Sequence, residues 1–365
     1  MIETNNPTTQ PAVKHTSQPK LPTLLVNMAL FGLWLWLFRP VFSYFQIIFV
    51  QEDFRTNQLV LLTIVILLAV QIRRQRFHPS LFAPVQVRFW PLVLVLSTAV
   101  LFLLSERYLD INMLTAVLFG LGGYGLAGLW LAPHTWRNGL PVALLLIGAL
   151  PFGTHMQTFI GYPMRLSTAA LVRDGLQLAG VTSVGVDTIL VFENGVSTVD
   201  LPCSGVQSLW TGLLFLLAAT WVEQKRLGWR WLLTAVLFTG LLFLTNLVRV
   251  ALLVTVGEVA RWRVLAEMLH VPLGVLGFVL ACAGALLLLR FFVPQTQPTN
   301  VSTQPTNAPA HRWIAPLLAA TFLGLSFLYV PRPEMGLTGT PPTLAFPAEL
   351  ALTPEPLKAD ERAWL

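Results

Sequence analysis

Apolar residues in this chain fall into long uninterrupted runs, not into the alternating or one-sided patterns of water-soluble domains. Nine such runs occur, at residues 21–38, 59–72, 90–104, 111–131, 140–152, 206–222, 231–256, 271–292 and 313–330. A helix crosses the apolar core of a bilayer with about 17–25 residues, and the shorter runs would be the centres of such spans. Backbone groups in lipid must be paired within the span, which favours helices. The pattern therefore predicts an all-α polytopic membrane protein with about nine transmembrane helices.

The segments between these runs divide the chain further. Residues 1–20 are rich in Pro, Thr, Gln and Asn, and we expect a disordered tail. Residues 21–292 hold eight of the nine runs and form the predicted transmembrane domain. Residues 293–312 read as a polar linker to an extra C-terminal helix at 313–330, and residues 331–365 as a Pro-rich tail.

The longest internal segment without an apolar run, residues 153–201, predicts a small cap outside the membrane. It contains an amphipathic helical pattern at residues 164–179 and β-branched stretches at 184–192 and 196–199. Asn194-Gly195 separates the two stretches, and this dipeptide favours a tight hairpin turn.

Composition and charge support the membrane class and predict an orientation. The chain is 55% hydrophobic and 11% charged, against about 25% charged residues in soluble domains. The predicted cytoplasmic segments hold 12 Lys and Arg, and the loops on the other side hold 7. This bias puts the N-terminus in the cytoplasm and the cap on the exoplasmic side. The net charge of +6 is spread beside the spans, so no nucleic-acid partner is expected.

Three side chains at the predicted exoplasmic ends of successive spans carry the candidate chemistry. Cys203 precedes the sixth span, Arg249 lies inside the seventh, and His270 opens the eighth. Singly, each has an ordinary explanation: a small buried thiol, an arginine that reaches the interface, or a histidine at a helix start. An arginine within a span is nevertheless a functional-site hypothesis by default.

Together, these groups would suit acyl transfer through a thioester. A cysteine thiolate is a nucleophile, and neighbouring positive charges lower the pKa of its thiol. The imidazole of His270 would protonate the leaving amine, and the guanidinium of Arg249 would stabilise the oxyanion. Such chemistry requires no metal and no organic cofactor. Either Glu258 or Glu267, which flank the loop before His270, could orient the imidazole.

Three further residues would support this group. Asn246 lies one helical turn before Arg249, so both face the same side of the seventh helix. Ser204 and Gly205 directly follow the cysteine, and glycine there permits a tight turn or the close approach of another backbone.

The run Pro202-Cys203-Ser204-Gly205-Val206-Gln207-Ser208-Leu209, followed by Asn246-x-x-Arg249 and His270, resembles the exosortase/archaeosortase family. The resemblance covers about residues 90–292, departing from the family at Leu201-Pro202 and Gln207. It implies that Cys203, Arg249 and His270 are the nucleophile, arginine and histidine of a catalytic domain within residues 21–292. It also implies a protease or transpeptidase of the bacterial cytoplasmic membrane, often associated with exopolysaccharide production. Its substrates would be exported proteins with a C-terminal sorting signal: a short motif such as Pro-Glu-Pro, a transmembrane helix and a basic cluster.

A function of another class also fits the residues. A membrane transporter or polysaccharide-assembly factor would use Arg249 and His270 as substrate-binding groups and Cys203 for packing. Internal repeats would favour a transporter, and no clear pattern relates the two halves of the chain. Replacement of Cys203 by serine distinguishes the two functions, because only the enzyme requires the thiol.

Overall fold

The computed structural model describes residues 21–50, 55–73, 85–109, 111–192, 195–199, 204–295 and 313–330. These residues are mostly helical, which confirms the predicted helical class. Their α-helices are α1 (Leu21–Leu37), α2 (Arg39–Val50), α3 (Arg55–Arg73), α4 (Phe89–Tyr108), α5 (Asn112–Gly128), α6 (Pro133–Asn138), α7 (Leu140–Gly148), α8 (Gly153–Met156), α9 (Tyr162–Leu178), α10 (Val206–Val222), α11 (Trp229–Val254), α12 (Arg263–Phe292) and α13 (Ile314–Leu328). Their strands are β1 (Ser183–Val186), β2 (Ile189–Phe192) and β3 (Gly195–Thr198).

Within the described residues, three helices are long and apolar enough to cross a membrane: α4, α11 with the turn that follows it, and α12. Helices α1 and α2 form a bent pair with an angle of 66° at the break, and count as a fourth span if taken together. Shorter apolar helices occur in α3, α10 and α13. A membrane protein is supported, whereas the nine predicted spans and their orientation stay predictions.

The first group of helices packs around aromatic side chains. Helices α1, α2, α4, α5 and α13 share a buried core. Its centre contains Trp34 stacked on Phe119, with ring centroids 4.6 Å apart, and Phe38 against Phe102 at 4.4 Å. Helix α13 joins this group through the fully buried Phe322.

The second group, α10, α11 and α12, carries the candidate site. Its core includes Leu216, Phe238 and Leu289, one from each helix. Lys225, in the loop between α10 and α11, points its ammonium group at the end of α12. Its Nζ donates hydrogen bonds to the carbonyl oxygens of Val293 (3.0 Å) and Arg290 (3.3 Å). These bonds satisfy carbonyl groups that a helix end leaves unpaired and tie the three helices together.

The predicted cap folds as a helix packed against a small antiparallel sheet. The helix expected at residues 164–179 is α9, and its Val172 packs with Leu190 and Phe192 of β2 and with Val250 of α11. The sheet order is β1-β2-β3. The β-branched stretch at 184–192, taken as one segment in the sequence, forms two strands, because a turn at Asp187, with φ of 54°, divides it into β1 and β2.

Two turns of π-helix interrupt the regular helices, at Gln157–Gly161 and at Thr255–Val259. Such turns occur frequently at functional sites. The position of His270 also differs from the prediction. Helix α12 begins at Arg263. His270 therefore lies two turns inside this helix, whereas the sequence predicted that His270 would open it.

Candidate active site

The loop that enters α10 has a conformation suited to glycine. Gly205 has φ of 72°, in the left-handed region that residues with a side chain rarely adopt. A Cβ atom at this position would also lie 2.7 Å from Cγ of Asn246. The backbone at Gly205 therefore rests directly against the Asn246 side chain, which is 6% exposed. This contact joins the start of α10 to the middle of α11.

Ser204 fixes the same loop from the other side. Its side chain is buried, with 1% exposed. Its hydroxyl donates to Oε1 of Gln157 at 3.3 Å and accepts a long bond from the amide of Val206 at 3.4 Å. Gln157 belongs to the first π-helical turn. The hydroxyl thus positions the loop and is enclosed, which makes it a poor nucleophile.

Cys203, together with residues 200–202, lies outside the described residues. The structure describes the chain on both sides: Val199, whose amide donates to the carbonyl of Thr188 at 2.9 Å, and Ser204. The role of Cys203 therefore stays a prediction that rests on its place in the sequence between these two anchored residues.

The Arg249 side chain extends from α11 to the surface of α12. Its Nη1 atom would lie 2.8 Å from a Cβ atom at Gly274, so the guanidinium occupies the space that this glycine leaves open. Gly274 is one helical turn after His270, on the same face of α12. The structure thus brings two of the three predicted catalytic groups to one face of the α11–α12 pair.

A small cleft with both polar and apolar lining residues, among the latter Leu242, Leu273 and Phe278, lies beside the guanidinium. Its lining comes from α10, α11 and α12, with side chains or backbone from Ser208, Thr245, Asn246, Arg249, Gly274 and Gly277. Sequence reasoning missed Gln157, Ser208 and Gly274. The spacing of four residues between His270 and Gly274 could have indicated that the glycine shares the histidine's face.

His270 lines a second, larger cleft of about 350 Å³. One wall is β3, the floor is apolar and formed by Val250, Leu253 and Val254, and the other wall is the Thr255–Val259 turn with the start of α12. Glu258 pairs with Arg263 at 3.0 Å, and Glu267 also lines this cleft.

In the part of the chain that the structure describes, no three His, Cys, Asp or Glu side chains are grouped to hold a metal ion. The arrangement is instead one cation and one polar amide at the small cleft, and one imidazole at the larger cleft. It can hold a developing negative charge and move a proton.

The family model described as Transmembrane exosortase (Exosortase_EpsH) matches residues 49–287. This interval includes the candidate site and all helices from α4 to α11. No curated protein and no solved structure matches the chain.

Proposed function

Because the chain belongs to the transmembrane exosortase family, we propose that it is a membrane cysteine peptidase or transpeptidase that sorts exported proteins. It cleaves a C-terminal sorting signal through a thioester on Cys203, on the exoplasmic side of the bacterial cytoplasmic membrane. The sorting signal is the short motif, transmembrane helix and basic cluster that the resemblance implies.

The first step forms the thioester. The Cys203 thiolate attacks the carbonyl carbon of the scissile peptide bond, and the carbonyl oxygen becomes an oxyanion. The Arg249 side chain is the group best suited to stabilise this oxyanion, since a guanidinium keeps its proton and offers several N–H donors in a fixed plane. The contact with Gly274 supports this role because it restricts where the guanidinium can lie.

The second step releases the C-terminal fragment. The C–N bond breaks, and the leaving nitrogen takes a proton from the His270 imidazolium. Water or the amine of an acceptor then attacks the thioester, and neutral His270 accepts the proton from the attacking group. The sulfur leaves as the thiolate, which restores the enzyme.

One observation carries the proposal: Arg249 lies against Gly274, which is one helical turn after His270, and it shares a face of α11 with Asn246, which touches Gly205. Gly205 is two residues after Cys203 in the sequence, and this short separation supports the proposed role of the thiol.

Processing of a reporter in membranes that lack this protein tests the proposal. The reporter is an exported domain that ends in Pro-Glu-Pro, a transmembrane helix and a basic cluster. Wild type should shorten it, and Cys203→Ala, Arg249→Ala and His270→Ala should not at matched expression. The buried Cys282→Ala is the control for loss of a thiol and should stay active. Full processing by Cys203→Ala would exclude Cys203 as the nucleophile, whereas no processing by wild type would favour the transporter alternative.

A further inference from the structure

The cleft that contains His270 has a strand edge as one of its walls. Strand β3 is last in the sheet and pairs on one side with β2. On its other side, the described residues contain no further strand. Val196, Ser197 and Thr198 line the cleft, opposite His270 and Glu267 of α12.

The register shows which backbone groups point into the cleft. Phe192 pairs with Gly195 across a two-residue connection, and the amide of Val199 donates to the carbonyl of Thr188. In an antiparallel ladder, hydrogen-bonded and non-hydrogen-bonded pairs alternate. Gly195 and Ser197 therefore bond to β2, and Val199 bonds to Thr188 just before it. The backbone N–H and C=O groups of Val196 and Thr198 face outward. No hydrogen bond to another described residue occupies these outward groups.

We propose that this edge binds the substrate: an extended segment of the exported protein pairs with β3 and lies in the cleft beside His270. This inference rests on the proposed function, whose substrate is a polypeptide. An extended peptide added to a free edge gains main-chain hydrogen bonds that do not depend on its sequence.

The shape and chemistry of the cleft fit such a strand. Alternate side chains of an extended peptide point to opposite faces. One set would face the apolar floor of Val250, Leu253 and Val254, and the other would face out of the cleft. In the sequence, Val199 directly follows β3 and Cys203 comes four residues later, so the edge proposed to bind the peptide lies close to the proposed nucleophile along the chain.

The first test distinguishes the contribution of the Val196 backbone amide to substrate binding from that of the Val196 side chain. Val196→Pro removes one outward N–H and leaves the bonds to β2 in place, since proline is tolerated on edge strands. Val196→Ala keeps the N–H and is the matched control. Loss of one main-chain hydrogen bond predicts a rise in the reporter's KM of about threefold to tenfold in Val196→Pro, with kcat unchanged. Equal KM values for the two variants would overturn the proposal.

The second test reports binding without catalysis. A photo-crosslinking residue is placed at Val196 in the Cys203→Ala protein, and at Val184 of β1 as the control, because both side chains are exposed (58% and 70%). The same reporter should crosslink at position 196, in its segment just before the transmembrane helix, and at most weakly at 184. Equal or no crosslinking at 196 would contradict edge binding. Failure of the proposed function appears differently, as reporter processing that persists in Cys203→Ala.

Discussion

Gly205 and Asn246 touch so closely that a Cβ atom on the glycine would lie 2.7 Å from Cγ of the asparagine. This contact links the loop after Cys203 to the helix that carries Arg249. It gives a structural reason why a glycine follows the Cys203-Ser204 pair and why a small amide lies one turn before the arginine.

Gly205→Ala should destabilise the protein through two separable effects. A residue with a side chain in the left-handed backbone conformation lowers the free energy of unfolding by about 1–2 kcal/mol. The clash with Asn246 lowers it by about 1–3 kcal/mol more. In the Asn246→Ala background most of the second part should be lost, because only the Cβ of residue 246, at 3.1 Å, remains close. The two substitutions are therefore non-additive in a double-mutant cycle. Thermal unfolding in detergent measures this. Additive effects would show that the two residues do not meet.

Gly274→Ala should reduce activity without reducing stability. The added methyl displaces the tip of the Arg249 side chain, which is flexible, but the guanidinium leaves its position. A shift of about 1 Å in a catalytic group can lower the rate by about 100-fold. Reporter cleavage gives kcat, and detergent melting gives stability. Gly240→Ala in α11 is the control, because open space surrounds that glycine. Wild-type kcat in Gly274→Ala would exclude the position described for Arg249.

Arg249→Lys should behave nearly like Arg249→Ala. Lysine keeps the charge but replaces a planar fork of donors by a single ammonium. Loss of one oxyanion donor lowers kcat by about 100- to 1,000-fold. Full activity with lysine would mean that only the charge matters, as for simple attraction of a substrate.

Ser204→Ala should remain active, even though it is adjacent to the proposed nucleophile. The hydroxyl is buried and its two hydrogen bonds are long, at 3.3 and 3.4 Å. We expect a loss of about 0.5–1.5 kcal/mol in unfolding free energy and a kcat within about tenfold of wild type. An inactive, fully folded Ser204→Ala would identify the serine as a reacting group.

Lys225→Met should destabilise the three-helix group that carries the site. Methionine fills similar space but cannot donate to the carbonyl groups of Arg290 and Val293. Each lost bond that leaves a buried acceptor unpaired costs about 1–3 kcal/mol. The melting temperature should fall while the KM for the reporter stays unchanged in the folded fraction. An unchanged melting temperature would show that these bonds contribute nothing.

The sequence predicted features that depend on local pattern. Helical periodicity placed Asn246 and Arg249 on one face, and the Asn194-Gly195 pair predicted the hairpin that ends in β3. It failed where a short-range signal is weak or the contact is distant. The turn at Asp187 lies within a β-branched run that looked continuous. The start of α12, seven residues before His270, was not predicted because the first turns of this helix are partly polar.

Contacts between helices could not be predicted from the sequence. Gln157 is 47 residues from Ser204, and Gly274 lies on a different helix from Arg249. Only the folded chain shows that a small residue at 274 makes room for a guanidinium. The free edge of β3 likewise follows from strand order and register, which periodicity alone does not determine.

The most direct test of the central claim is detection of the thioester itself. The reporter is incubated with wild-type membranes, quenched in acid and analysed by mass spectrometry for an adduct on the peptide that contains residue 203. We predict an adduct that hydroxylamine cleaves, present in wild type and Cys282→Ala and absent in Cys203→Ala. Continued cleavage of the reporter by Cys203→Ala, or an adduct at another residue, would contradict the account.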